Sequence, residues 1–374
     1  MATATLVLNP FLSAREQPDG SLLLKAARRG GMRIETRFGP GGLSRDWGEA
    51  ILDRLAAGRV EPTGLPPQAL PLLIRQGLAL LDTELDGLPG FRVPLAAGAA
   101  EGGEPVPLLA TGSLCPAPHV SLPWRCVLSG GEPLWHQRPG GPVLPWWPDP
   151  ACRAALRSLD TQIPTPVPPD VAATLLREGL AVPVGGAAPS VTGGGREALA
   201  AQGFVLVPGL LPPAHLAAWQ AYADALVAAG LTEHSAKAAD RDTYHGDPVG
   251  TLFLHLFRPA AEALAGRPLV PSYAFLSAYR AASALDEHLD RPPCEYTLSL
   301  HIDHRPRPDG PVPWPLRIRP GPDTAPVELR CRLGDGVVFR GRRLPHSRPR
   351  LPEGDRSTTL LLHYVHPDYR GPLD

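Results

Sequence analysis

Apolar positions follow two different rhythms along this 374-residue chain. In the first 90 residues, Thr5-Leu6-Val7-Leu8 and Ser21-Leu22-Leu23-Leu24 are strand-like runs on either side of a Pro18-Asp19-Gly20 turn signal. Helical spacing takes over from Trp47 to Ala57, where Ile51, Leu52 and Leu55 share one face. It returns from Pro67 to Leu81, with Leu70, Leu73, Ile74 and Leu78 in phase and Gly77 loosening the end. Helix, turn, helix and a short strand predict a small winged-helix-like α/β unit over residues 1–90.

A similar pattern recurs about a hundred residues later: LPPQALPLLIRQGLALLD (65–82) resembles VPPDVAATLLREGLAVPV (167–184). A diverged duplication is expected, and two copies make a packed pair rather than a solenoid. Between them lies a stretch rich in Pro and Gly that holds Trp124, Trp135, Trp146 and Trp147. Its prolines limit regular structure, while its tryptophans argue for ordered packing. This segment and the second copy form a region at 91–192. The glycine-rich 186–195 stretch has linker composition, and its GGG lacks the G-x-x-x-x-G-K-[ST] pattern of a phosphate loop.

Beyond residue 193 the pattern changes. Gly203 to Val207 is a β-run, and Pro212-Pro213 opens a helix with Leu216, Trp219, Ala223 and Leu226 on one face. A second helix is predicted at about 249–265. From Val270 onward, β-type runs at 270–279, 294–303, 326–333, 336–340 and 357–365 alternate with Pro/Gly turns. Such spacing after paired helices predicts a double-sheet jelly roll with helical support over 193–374. The fold class is therefore multidomain α+β.

Charge removes some function classes. Lys and Arg total 36 against 37 Asp and Glu, a formal net charge of −1, so no nucleic-acid surface and no polybasic membrane patch is expected. Lysine occurs only at Lys25 and Lys237, and arginine carries almost all the positive charge. Cys115, Cys126, Cys152, Cys294 and Cys331 show no C-x-x-C spacing, which fits reduced thiols rather than a disulfide framework. The opening residues lack a basic segment before an apolar core, and no run reaches the roughly 18 apolar residues that span a bilayer. A soluble cytoplasmic protein is the expectation.

The chemistry concentrates between Tyr279 and Asp303. His288 and Asp290 stand two apart, which on a strand turns both side chains to one face. With one more imidazole they would make the facial triad that binds non-haem Fe(II) with open positions, and His346 is the candidate. His301-Ile302-Asp303 is a second, rival H-x-D. His304, His363 and His366 read as structural or exposed. Arg280, Arg317, Arg319 and Arg340 are candidates to line a substrate cleft.

These positions are similar to the prolyl-hydroxylase pattern of the 2-oxoglutarate/Fe(II)-dependent dioxygenase superfamily. Tyr279 precedes His288 by nine residues; Thr297 to His301 matches a T-x-x-x-aromatic strand; Gly334-Asp335 to Phe339 matches G-D-x-x-x-F; Gly354 and Arg356 follow His346 by eight and ten. GFVLVPGLLPPAHL at 203–216 resembles the phytanoyl-CoA hydroxylase-like branch. The resemblance implies a metal held by His288, Asp290 and His346, with 2-oxoglutarate and O2 as cosubstrates. It implies that Arg356 binds the distal carboxylate of 2-oxoglutarate, with Thr358 and Tyr279 as hydroxyl donors and His301 lining the pocket. The G-G-x-T stretch common in prolyl hydroxylases is replaced by LRIRPGPDT, which puts proline as substrate in doubt. A carboxylate at Asp290 disfavours halogenation. LVLNPFLSAREQPDGSLLL and AILDRLAAG near the N-terminus resemble PqqD-like peptide-recognition domains.

The expected activity is hydroxylation of an unactivated C–H bond, in an amino-acid residue of a peptide or protein first and in a free small molecule next. Two alternatives stay open. One is a peptide-binding module with a degenerate jelly roll; the other is a cupin-like metal enzyme that does not use 2-oxoglutarate.

Overall fold

The computed structural model describes residues 5–84 except 10, 18, 29, 31 and 57–59, and residues 194–373 except 212, 237 and 238. Between these it describes the short stretches 88–89, 114–116, 134–137, 143–146, 171 and 181–183. The second copy of the helical pattern and most of the tryptophan-bearing segment lie outside the described residues. The chain divides into one unit of residues 1–187 with 228–231 and another of 188–227 with 232–374.

In the first unit, β1 (Leu6–Leu8) is followed by β2 (Leu12–Glu16), β3 (Leu22–Arg28) and β4 (Met32–Phe38). The last three form an antiparallel meander. Only β1 and β3 were foreseen; β4, MRIETRF, has just one clearly buried apolar end and carries a weak alternation signal. Helix α1 (Arg45–Ala56) and helix α2 (Ala69–Arg75) follow. Helix α2 is shorter than the predicted 67–81 because Gly77 takes φ +67, a left-handed turn that suits glycine. The freed residues form β5 (Ala79–Leu81), which pairs antiparallel with β1. Leu6, Leu22, Leu24, Phe38, Ile51, Leu55 and Leu73 make the core of this unit. Short strands β6 (Leu114–Pro116) with β9 (Ala181–Pro183), and β7 (Leu134–Gln137) with β8 (Val143–Trp146), pair further along.

The second unit begins with α3 (Gly195–Gln202), β10 (Phe204–Val207) and α4 (Pro213–Ala228). Then come β11 (Glu233–Ser235), β12 (Arg241–His245), α5 (Pro248–Leu256) and α6 (Arg258–Ala265). The single helix expected at 249–265 is two helices, because Pro259 at the start of α6 cannot continue the hydrogen bonding of α5. Eight strands follow: β13 (Val270–Tyr279), β14 (Leu285–His288), β15 (Tyr296–Arg305), β16 (Leu316–Ile318), β17 (Val327–Leu329), β18 (Gly336–Phe339), β19 (His346–Arg348) and β20 (Arg356–Val365). With β10, β11 and β12 they distribute between a seven-stranded sheet, β10-β18-β15-β20-β13-β12-β11, and a four-stranded sheet, β14-β19-β16-β17. Every described pairing is antiparallel, and the chain crosses repeatedly from one sheet to the other, the jelly-roll arrangement.

Helices brace the larger sheet. Trp219 on α4 is fully buried and packs edge-on against Phe253 of α5 at 5.2 Å. Tyr222 donates to Asp247 Oδ1 at 2.7 Å, and Asp247 Oδ2 accepts from the Gly250 amide at 2.6 Å, capping the start of α5. Tyr364 on β20 donates to the Leu254 carbonyl at 2.8 Å, tying α5 to the strand behind the site. Among the described residues, no helix is long and apolar enough to cross a membrane.

Candidate metal centre

Strands β14 and β19 pair in a register that sets His288 directly opposite His346. Cross-strand neighbours of this kind bring side chains within about 5 Å, and the two imidazole centroids are 4.4 Å apart. Each ring is oriented by its own backbone. His288 Nδ1 lies 2.8 Å from the Asp286 carbonyl and His346 Nδ1 lies 2.9 Å from the Leu344 carbonyl. A carbonyl only accepts, so each Nδ1 carries a proton and each Nε2 is the ring atom left to meet the carboxylate or a metal. Both Nε2 atoms face Asp290 Oδ1, at 3.9 Å and 3.5 Å. The three ligand atoms lie within 4.8 Å of one another. Two imidazoles and one carboxylate, already turned toward a shared point, fit a divalent transition metal with open positions.

Asp290 reaches this point differently from the expectation. Strand β14 ends at His288, so the H-x-D pair does not share a strand face. The Asp290 amide instead donates to the Gly341 carbonyl at 2.9 Å. A Cβ at Gly341 would stand 2.0 Å from Asp290 Oδ2, so only glycine leaves room for the carboxylate. Thr297 on β15 donates its hydroxyl to the same oxygen at 2.7 Å. Having spent its proton there, Thr297 Oγ1 accepts from His363 Nδ1 at 3.0 Å. His363, read from sequence as structural or exposed, is buried and closes this relay behind the carboxylate. Burial pushes its pKa down to about 4, so the ring is neutral. Burial alone raises the Asp290 carboxyl, but the His346 ring, His363 and the Thr297 hydroxyl outweigh it and hold the pKa at about 2. Burial keeps the nearby Cys294 a thiol, with its pKa pushed up to about 12.

The cluster opens onto a cavity of about 610 Å³ between the two sheets. Its walls include Tyr279, Phe275, Tyr273, His245 and Phe339 from the larger sheet and Leu316 and Arg348 from the smaller one. Tyr279 therefore lies where the sequence placed it, stacked edge-on against Trp314 at 4.9 Å. Arg356 and Thr358 do not. Along β20 the residues that face the cavity are Thr359, Leu361 and His363. The side-chain period of two sends Arg356 and Thr358 to the opposite side, and Arg356 is exposed, paired in register with Arg305. His301 is buried and its Nε2 meets the Ser357 hydroxyl at 2.9 Å; it lies outside the cavity lining, and its H-x-D carboxylate Asp303 pairs with Arg305.

A guanidinium that does line the cavity is that of Arg348, two residues past His346 on the same face of β19. It is buried and stacked over Trp314 at 4.6 Å, and its one hydrogen bond among the described residues is a 3.4 Å contact with the Trp314 carbonyl. No carboxylate of the described residues pairs with it. The H-x-R spacing of His346-Ser347-Arg348 carries this position at period two, the same rule that had been applied to His288 and Asp290. The other arginines proposed for the cleft are engaged elsewhere. Arg280 forks onto Asp242 at 3.0 and 3.1 Å, Arg317 pairs with Glu328 and Arg319 with Glu287. Arg340 is outside the lining as well.

No family model and no curated protein matches the chain. Solved structures do. A prolyl-4-hydroxylase from Pseudomonas putida is 18% identical, over 47% of this chain and 97% of its own, with a TM-score of 0.38. The non-heme alpha ketoglutarate dependent epimerase SnoN from nogalamycin biosynthesis is 20% identical, over 46% of this chain and 80% of its own, with a TM-score of 0.39. A 2OG-Fe(II) oxygenase family oxidoreductase from Burkholderia pseudomallei is 16% identical, over 46% and 92%, with a TM-score of 0.37. The structures to which this chain is similar thus include 2-oxoglutarate- and iron-dependent enzymes, each over less than half of its length.

Proposed function

We propose that this chain is an Fe(II)- and 2-oxoglutarate-dependent oxygenase that hydroxylates an unactivated C–H bond. The observation that carries the reading is one cavity holding both an inward-turned His288–Asp290–His346 cluster and, on the same strand face as His346, the carboxylate-free guanidinium of Arg348. Bound iron would supply the oxidising chemistry, coupling O2 reduction to the conversion of 2-oxoglutarate to succinate and CO2 and delivering one oxygen atom to the substrate. The chain's own residues do the rest. His288 and His346 offer fixed Nε2 lone pairs, and Thr297 with His363 holds Asp290 ionised and in one orientation. Arg348 offers a planar fork to the distal carboxylate of the cosubstrate, in the role that the sequence resemblance assigns to Arg356. Tyr279 stands beside it as a hydroxyl donor. Phe275, Leu316, Phe339 and Leu361 exclude water from the reacting centre.

The substrate we favour is an amino-acid residue of a peptide or protein, with the N-terminal unit as the recruiting element through its PqqD-like stretch. The test is Fe(II)-dependent succinate formation from 2-oxoglutarate without added substrate, in wild type and in His288→Ala, with calorimetric binding of 2-oxoglutarate to the Mn(II)-loaded protein. Triad-dependent succinate, or metal-dependent cosubstrate binding alone, supports the oxygenase. Failure of both overturns it and leaves the peptide-binding module or a metal enzyme that does not use 2-oxoglutarate.

A further inference from the structure

Resting on that reading, we infer that the metal cavity contains a second anion site, built by Arg241, that takes a carboxylate of the oxidised substrate itself. Arg241 opens β12, opposite Tyr279 of β13, and lines the cavity. Its guanidinium is sandwiched against two ring faces, 5.4 Å from Phe275 and 5.3 Å from Tyr279. Only Nη1 is used: it donates to Tyr279 Oη at 2.9 Å and touches Ser277 Oγ at 3.4 Å. The Nε–Nη2 edge, the one that grips a carboxylate side-on, has no partner among the described residues, and Nε is buried. The neighbouring acids are committed elsewhere. Asp242 takes Arg280, and Asp240 lies 3.6 Å from His234. A buried N–H left without an acceptor is destabilising, and an incoming carboxylate would relieve that.

The charge in the cavity points the same way. Three arginines line it, Arg241, Arg291 and Arg348, against two carboxylates, Asp286 and Asp290. The cavity thus carries guanidinium groups besides Arg348, and of these Arg241 is the one with an open edge. The rings around Arg241 add an apolar, aromatic surface, extended by the His245–Tyr273 stack at 4.4 Å. The chemistry recognised is therefore a carboxylate next to an apolar group, from a free acid or from a peptide.

The probes are benzoate, benzamide, and the peptide N-acetyl-Ala-Ala-Phe as its free acid and as its C-terminal amide. Each is titrated calorimetrically into protein saturated with Mn(II) and 2-oxoglutarate, in wild type and Arg241→Gln. We expect at least one acid to bind tenfold or more tighter than its amide without displacing 2-oxoglutarate, and Arg241→Gln to abolish that ratio. Benzoate alone would assign a free acid, and the peptide acid alone a peptide carboxylate; either supports the site. Acids that bind no better than amides, or only by displacing 2-oxoglutarate, overturn it. If 2-oxoglutarate itself fails to bind the wild-type protein, the oxygenase reading falls first.

Discussion

Exchanging Arg348 for Gln and, separately, Arg356 for Gln sets two arginines eight residues apart against each other. Arg348 is buried on Trp314 and faces the cavity; Arg356 is exposed and faces away. A hydrogen bond to a charged group contributes about 1.5–3 kcal/mol, so losing a two-pronged guanidinium–carboxylate contact costs roughly 3–5 kcal/mol. That corresponds to 2-oxoglutarate affinity weaker by about two to four orders of magnitude in Arg348→Gln. Arg356→Gln should change it less than about twofold, as surface charges do. The apoprotein gives a second, opposite readout. Burial lowers the Arg348 pKa, which means that the unliganded fold carries this cation at a cost. Removing it should leave urea stability unchanged or raised by about 1 kcal/mol. Calorimetry of 2-oxoglutarate binding to Mn(II)-loaded protein, with urea melts of the apoproteins, measures both. A large loss in Arg356→Gln with little change in Arg348→Gln would refute the placement of the anion site and the strand-phase reasoning behind it.

Gly341→Ala should fold with native circular dichroism yet bind Mn(II) at least a hundredfold more weakly, because the new methyl occupies the space of Asp290 Oδ2; metal titration decides it. The pH dependence of stability should show His363. Its folded pKa, about 4, lies below the ordinary 6.5, so its contribution is complete above pH 6.5 and is lost as the pH falls toward 4. His363→Asn, which keeps a donor toward Thr297, should therefore flatten the loss of urea stability between pH 6.5 and 4 by up to about 3 kcal/mol. An unchanged slope in that variant would count against a neutral, buried His363.

Most of the second unit was legible before any coordinates. Hydrophobic alternation from Val270 onward and Pro/Gly punctuation mark β13, β15, β17, β18 and β20, whereas the short strands β14, β16 and β19 of the smaller sheet fall outside the expected runs; His288, Asp290 and His346 converge as their chemistry suggested. Spacing alone also carries the Thr297 strand and the helix with Trp219. In the first unit, local signals were enough for α1 and the start of α2, but β4 escaped because few of its positions are apolar.

What the sequence could not decide is strand phase. Counting ten residues from His346 lands on Arg356, but which face that residue takes depends on how β20 pairs with β13 and β15. There the ladder holds Thr359 opposite His301 and Thr358 opposite Asp303, with an irregularity between. A shift of one residue in such a ladder exchanges every inward side chain for its outward neighbour, and no feature of the local sequence reports it. The sequence by itself determined the longer strands, the metal-binding residue types and their order. Only the packing of two sheets across a shared cavity decided that Arg348 and Arg241 line that cavity while Arg356 faces solvent.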